Sequence, residues 1–185
     1  EFPTAELHGR TIKNIRRRGK FLIFELGSDL NLIFHLGMSG RFYMQAATEE
    51  PVEKHIHVIM NLNNGISLIY QDPRRFGGVW LVRDRERFFS NMGREPLSSG
   101  FTAVYLEGIL KQRKAPVKNL LLNQHLISGI GNIYADESLF TAGIRPDRPA
   151  ASLSRQEIKK LHRSIRKVLR QGIKLRGTTF RDYRD

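Results

Sequence analysis

"HLISGIGNIYADESLFTAG", residues 125–143, decides how the second half of this chain is read. Gly129 and Gly131 flank one isoleucine, Asn132 follows, and an apolar helical pattern runs from there to a stop at Gly143. Asn is a favoured N-cap, so the spacing predicts a helix over 132–143 entered through a glycine turn. A helix start leaves backbone N–H groups unpaired at the positive end of its dipole. With no side chain at 129 or 131 to block approach, a phosphate fits on those amides, and the Asn132 side chain adds a donor. The same residues also suit a plain helical corner whose glycines only permit the turn.

Working outward, the rest of this half is helical too. "TAVYLEGILKQ" (102–112) has helical spacing, and "APVKNLLLNQ" (115–124) reads as a second helix with Pro116 in its first turn. A last helix is capped by Ser154, with Glu157 three residues on as a capping box. Its apolar stripe is Ile158, Leu161, Ile165, Val168, Leu169 and Ile173. The first half reads as strands: "KFLIFEL" (20–26), "LNLIFHL" (30–36), "RFYMQ" (41–45), "HIHVIMNL" (55–62), "ISLIYQ" (66–71) and "VWLVR" (79–83). Asn64-Gly65 is a hairpin signal. The fold class is therefore α+β: an antiparallel β-sandwich or flattened barrel over about 1–92, then a helical domain over about 98–176, with the boundary near 93–100.

Charge narrows the function. Lys and Arg outnumber Asp and Glu by 31 to 18 in 185 residues, a formal net charge of +13, and the pI is about 10.5. Such a balance favours a polyanionic partner, nucleic acid first, and tips the glycine turn toward phosphate. The absence of cysteine excludes disulfides and thiolate metal sites within this chain. His55 and His57 are the only close histidine pair, and strand alternation puts them on one face, but no third ligand stands at metal spacing. No apolar run reaches membrane-spanning length. "QDPRRFGGVW" (71–80) is turn chemistry around two arginines and a phenylalanine. An Arg-Arg-Phe loop tip on a basic protein suits a wedge: Phe stacks between bases, and Arg pairs with a phosphate or a base edge. Met38, between Gly37 and Gly40, reads by itself as ordinary core packing.

"GIGNIYADESLFTAGIRP" (129–146) resembles the helix–two-turns–helix motif of the bacterial formamidopyrimidine-DNA glycosylase family. "RRGKFLIFEL" (17–26), "HLGMSGRF" (35–42) and "DPRRFGG" (72–78) agree, in the family's order and at about its spacing. The resemblance implies excision of oxidised purines, such as 8-oxoguanine and formamidopyrimidine, from duplex DNA by base flipping, with lyase cleavage at the abasic site. Met38, Arg74 and Phe76 would fill the hole left by the flipped nucleoside, Arg74 meeting the orphaned base. Lys20 would hold phosphate and donate a proton during strand cleavage. His55, Arg113, Lys118 and Asn132 would contact DNA. Family catalysis uses the amine of an N-terminal proline followed by glutamate. This chain opens "EFPTAELHGRTI", where Pro3 does not match, and closes "GTTFRDYRD" (177–185), where the family continues toward a four-cysteine zinc finger. The chain thus reads as an internal fragment, or a shortened relative, that binds damaged double-stranded DNA without the nucleophile and is inactive by itself. No cofactor is expected within it; zinc is expected in a full-length member. The resemblance further implies a monomer, a bacterial cytoplasmic location with the nucleoid, and no membrane partner. Two alternatives stay open: an endonuclease VIII-type enzyme for oxidised pyrimidines, or a non-catalytic nucleic-acid-binding module.

Overall fold

A computed structural model describes residues 3–27 and 29–177; most of the "GTTFRDYRD" tail lies outside the described residues. The chain divides into two compact units, Glu1–Phe89 and Ser90–Asp185. The first is built of antiparallel strands: β1 (Asn14–Arg18), β2 (Phe21–Glu25), β3 (Asn31–His35), β4 (Arg41–Ala46), β5 (Ile56–Asn61), β6 (Ile66–Gln71) and β7 (Gly78–Val82), followed by a single turn of helix, α1 (Arg85–Phe88). They form two sheets, one in the order β1-β2-β3-β7 and one in the order β4-β6-β5.

The apolar alternation explains the layering. Phe24, Leu32 and Phe34 of the first sheet and Tyr70 of the second are all buried in one cluster, against which Phe42, Val58 and Met60 pack. Phe34 meets Phe42 edge-on with ring centroids 4.8 Å apart, a favoured geometry for aromatic pairs. On the other face of the first sheet Phe21 packs against Trp80, Phe88 and Phe89, which brings α1 onto that face.

Two features depart from the sequence expectation. The strand β1, "NIRRR", has no apolar alternation because it is the outer strand of its sheet and its first four residues are exposed. A charged outer strand also discourages pairing with another chain. Second, His55 and His57 do not share a strand face. His55 precedes β5 with φ 66°, and the β5–β6 register passes from Ile56 to Val58, so His57 is the extra residue of a bulge. Among the described residues no group of three or more His, Cys, Asp or Glu is placed to hold a metal.

The second unit contains α2 (Ala103–Leu110), α3 (Val117–Leu122), α4 (Asn132–Ala142) and α5 (Arg155–Lys174). Leu106, Leu110, Val117, Leu121, Leu139 and Ile158 are among the residues of its buried cluster. Thr102 caps α2 by accepting the Tyr105 N–H at 3.1 Å. Pro116 stands just before α3 rather than in its first turn. The capping box of α5 is present: the Ser154 hydroxyl accepts the Glu157 N–H, and the Glu157 carboxylate accepts the Ser154 N–H. Its stripe drifts, however. Ile158, Leu161 and Ile165 are buried, but Ile173 is 66 % exposed, and Gly172 takes the inward position. At 3.6 residues per turn the inward face moves from 165 to 172 rather than 173. A Cβ there would lie 2.5 Å from the Tyr134 hydroxyl, so any larger residue would have to push that ring aside.

Candidate nucleic-acid interface

In the first unit the wedge loop and the Met38 turn are one structure. The turn leaving β3 and the loop between β6 and β7 touch through glycine. A Cβ on Gly37, whose φ is 62°, would lie 2.7 Å from the Gly77 nitrogen and from the Phe76 carbonyl carbon. A Cβ on Gly77 would lie 2.0 Å from the Tyr70 hydroxyl. Nothing larger than glycine lets the two segments approach this closely. Met38 and Phe76 are exposed, at 72 % and 57 %. The exposure settles where the Met38 side chain goes: it is not in the core. The Arg74 guanidinium lies over the Phe76 ring, 4.9 Å from its centroid. Arg75 adopts the left-handed conformation, φ 55°, which costs a non-glycine residue about 1 kcal/mol.

The junction is pinned by Asp72, only 1 % exposed. Its Oδ1 accepts the Ser39 hydroxyl at 2.6 Å, and its Oδ2 accepts the Gly77 N–H at 2.8 Å. Ser39 Oγ in turn accepts the Arg74 N–H at 3.2 Å. The Ser39 hydroxyl, then the backbone N–H donors, hold the Asp72 carboxyl below the usual aspartate range, against the opposing effect of burial. Burial, and the negative charge of Asp72, push the Tyr70 hydroxyl up. The segment before β5 joins the same point through main chain: the Asp72 N–H donates to the His55 carbonyl at 3.1 Å, and His57 Nε2 lies 2.9 Å from the Asp72 carbonyl oxygen. His55 itself is exposed.

Lys20 sits in the β1–β2 turn, immediately before β2. Partial desolvation lowers its ammonium below the ordinary lysine range. His35, at the end of β3, is also lowered, first by burial and then by the positive charge of Lys20. His35 Nδ1 accepts the Gly37 N–H at 3.1 Å, so the strand end beside Lys20 leads directly into the Met38 turn.

In the second unit, the cap of α4 lies one residue earlier than expected. Gly131 is the N-cap and Asn132 the first helical residue. A glycine cap offers no side-chain acceptor, and no side chain caps this helix. Lys118, on α3, reaches across to α4 and pairs with Asp136, with Nζ 2.8 Å from Oδ1. Arg113 follows α2 and is half-buried; its Nη1 donates to the Ile109 carbonyl at 2.7 Å, near the C-terminal end of α2. The structure thus gathers Lys118 and Asn132 at neighbouring helices, while Arg113 is partly committed to its own helix end.

Residues 1–79 match the family model described as the formamidopyrimidine-DNA glycosylase N-terminal domain, and residues 92–184 match its H2TH domain. The chain is 57 % identical over 185 residues to the formamidopyrimidine-DNA glycosylase of Syntrophomonas wolfei, covering all of this chain and 69 % of that protein. This chain belongs to the formamidopyrimidine-DNA glycosylase family. The glycosylase of Rickettsia felis is 44 % identical over 182 residues, covering 97 % of this chain and 66 % of its own length. Among solved structures, the Lactococcus lactis glycosylase bound non-covalently to abasic-site DNA has a TM-score of 0.89 at 39 % identity, covering 94 % of this chain and 68 % of that one. The same enzyme in complex with Fapy-dG DNA has a TM-score of 0.90 at 38 % identity, covering 96 % of this chain and 68 % of that one. The chain therefore spans about two thirds of the length of the relatives it matches.

In this member of the family the loop side chains Met38, Arg74 and Phe76 are legible in the sequence, and what holds them is not. Asp72 opens the "DPRRFGG" turn, where aspartate is an ordinary turn residue. Nothing in the string tells that its carboxylate is buried and bridges to Ser39, 33 positions away.

Proposed function

We propose that this chain is the DNA-gripping and base-flipping part of a glycosylase that excises oxidised purines, 8-oxoguanine and formamidopyrimidine, from duplex DNA. The observation that carries the reading is the outward presentation of Met38, Arg74 and Phe76 from two interlocked loops. Flipping a nucleoside costs a few kcal/mol of stacking and pairing, and side chains that fill the hole offset part of it. Phe76 stacks in the gap, Met38 fills its apolar volume, and Arg74 meets the unpaired base. The uncapped start of α4 with Asn132, together with Lys118, takes backbone phosphates; His55 and Arg113 add further DNA contacts. Lys20, whose ammonium partial desolvation holds below the ordinary lysine range, is a better proton donor than an unperturbed lysine and serves the abasic-site lyase step.

Excision itself belongs to the protein with the family's N-terminal proline and glutamate. Pro3 does not supply that nucleophile: its nitrogen is tied up in a peptide bond, and the residue stands at the cap of the short turn Thr4–Leu7. The zinc module of the family is likewise not provided by these residues, as the chain has no cysteine, and no step is assigned to it. The reading takes the protein to be monomeric and bacterial.

The test is borohydride trapping of this 185-residue chain on a duplex with one abasic site, with a binding titration alongside. No covalent adduct, but binding that prefers the abasic to the intact duplex, is the expected result. A trapped adduct would refute the claim that this chain lacks a nucleophile. Equal affinity for both duplexes would refute the plug.

A further inference from the structure

We propose that Ser39 and Asp72 form a latch that makes the Met38 turn and the Arg74–Phe76 loop a single preformed plug, so that both positioning residues govern lesion recognition without touching DNA. The inference rests on the flipping role proposed above and goes beyond it.

Three observations converge. The two segments lie 35 residues apart in sequence and meet at one buried carboxylate. Each oxygen of Asp72 serves a different segment: Oδ1 takes the hydroxyl of Ser39, next to Met38, and Oδ2 takes the Gly77 N–H, next to Phe76. The Ser39 oxygen then closes the circuit by accepting the Arg74 N–H. The hydroxyl thereby donates to one loop end and accepts from its middle, a use that alanine cannot replace. At Gly37 the two segments pack main chain against main chain, so closely that an added Cβ would lie 2.7 Å from the Gly77 nitrogen. Plugging a hole in a base stack needs side chains whose positions are fixed in advance, since ordering them at the moment of binding subtracts from affinity. Asp72 is too deeply buried to reach a ligand. Its work is done through Met38, Arg74 and Phe76.

The experiment is a double-mutant cycle read by affinity for an abasic duplex and for the intact duplex of the same sequence. In the wild-type chain, Met38→Ala and Phe76→Ala are expected to be coupled: the double variant loses about fivefold less than the product of the single losses, because either deletion already breaks the plug. In the Ser39→Ala background the two losses should multiply to within about twofold. Ser39→Ala itself should lower the abasic-over-intact preference about tenfold, with an unchanged far-ultraviolet circular dichroism spectrum as proof of folding. Asp72→Asn, nearly the same shape without the charge, should act in the same direction. An unchanged preference in Ser39→Ala overturns the latch. So does a reduced preference with the Met38–Phe76 coupling intact, since the hydroxyl would then act only through stability. A wild-type chain with no preference for the abasic duplex overturns the proposed function instead, and the latch with it.

Discussion

Gly77 shows how much of the interface depends on a missing side chain. Its amide donates to Asp72, and a Cβ placed on it would lie 2.0 Å from the Tyr70 hydroxyl and 2.5 Å from the His35 carbonyl oxygen. Neither neighbour yields easily: Tyr70 is buried in the sheet core, and His35 belongs to a paired strand. Gly77→Ala should destabilise the first unit by about 1–3 kcal/mol, the range for overpacking a tight site. Thermal unfolding followed by near-ultraviolet circular dichroism would show it as a lower midpoint; an unchanged midpoint would mean that the loop relaxes freely. The two neighbouring glycines were legible as turn residues, as were the arginines and Phe76 as loop-tip residues. What was not legible was what ties the loop down. Sequence periodicity reports which side chains share a face, but Asp72, Ser39 and Gly37 meet through loops, where no period operates.

At the scale of elements, the same limit separates what was read well from what was not. The cap of α5 was legible because Ser154 and Glu157 are three residues apart and act locally. The charged strand β1 was not, because an outer strand is recruited by its partner's hydrogen bonds rather than by its own apolar pattern. The cap also carries a pH-dependent contribution. Glu157 accepts from Ser154 and is gripped by both terminal guanidinium nitrogens, Nη1 and Nη2, of Arg148. The Arg148 guanidinium first, then the Ser154 donors, hold its carboxyl at about 2, against an ordinary value of 4.5. A carboxylate lowered on folding stabilises the fold fully above its unfolded value and loses that stabilisation as pH falls through the folded one. About a third of each side chain faces solvent, so screening trims the pair, and Glu157→Gln should cost about 1–2 kcal/mol at neutral pH. The gap in melting temperature between wild type and Glu157→Gln should therefore be full at pH 6 and close between about pH 4.5 and 2. A gap that persists at pH 2 would assign the effect to packing rather than to charge.

For the whole molecule the governing quantity is the net charge of +13. A surplus of that size guarantees some attraction to any polyanion, so affinity alone says little about which residues grip DNA. Salt dependence says more, because each phosphate neutralised releases counterions, and the slope of log K against log salt counts them. Lys118 is the informative position. It is paired with Asp136 at 2.8 Å in the free protein, so a phosphate must share or displace that carboxylate. If Lys118 engages DNA, Lys118→Ala should weaken intact and abasic duplex alike by several-fold and flatten the slope by about 1. Asp136→Asn should do the reverse: it releases Lys118 and removes the negative charge beside it, so binding tightens. Anisotropy titrations at four or five salt concentrations separate the two variants from the plug variants, which should change lesion preference and leave the slope alone. A Lys118→Ala slope equal to wild type would mean that this lysine only ties α3 to α4. The phosphate grip of the second unit would then fall to the main chain at the start of α4 and to Asn132.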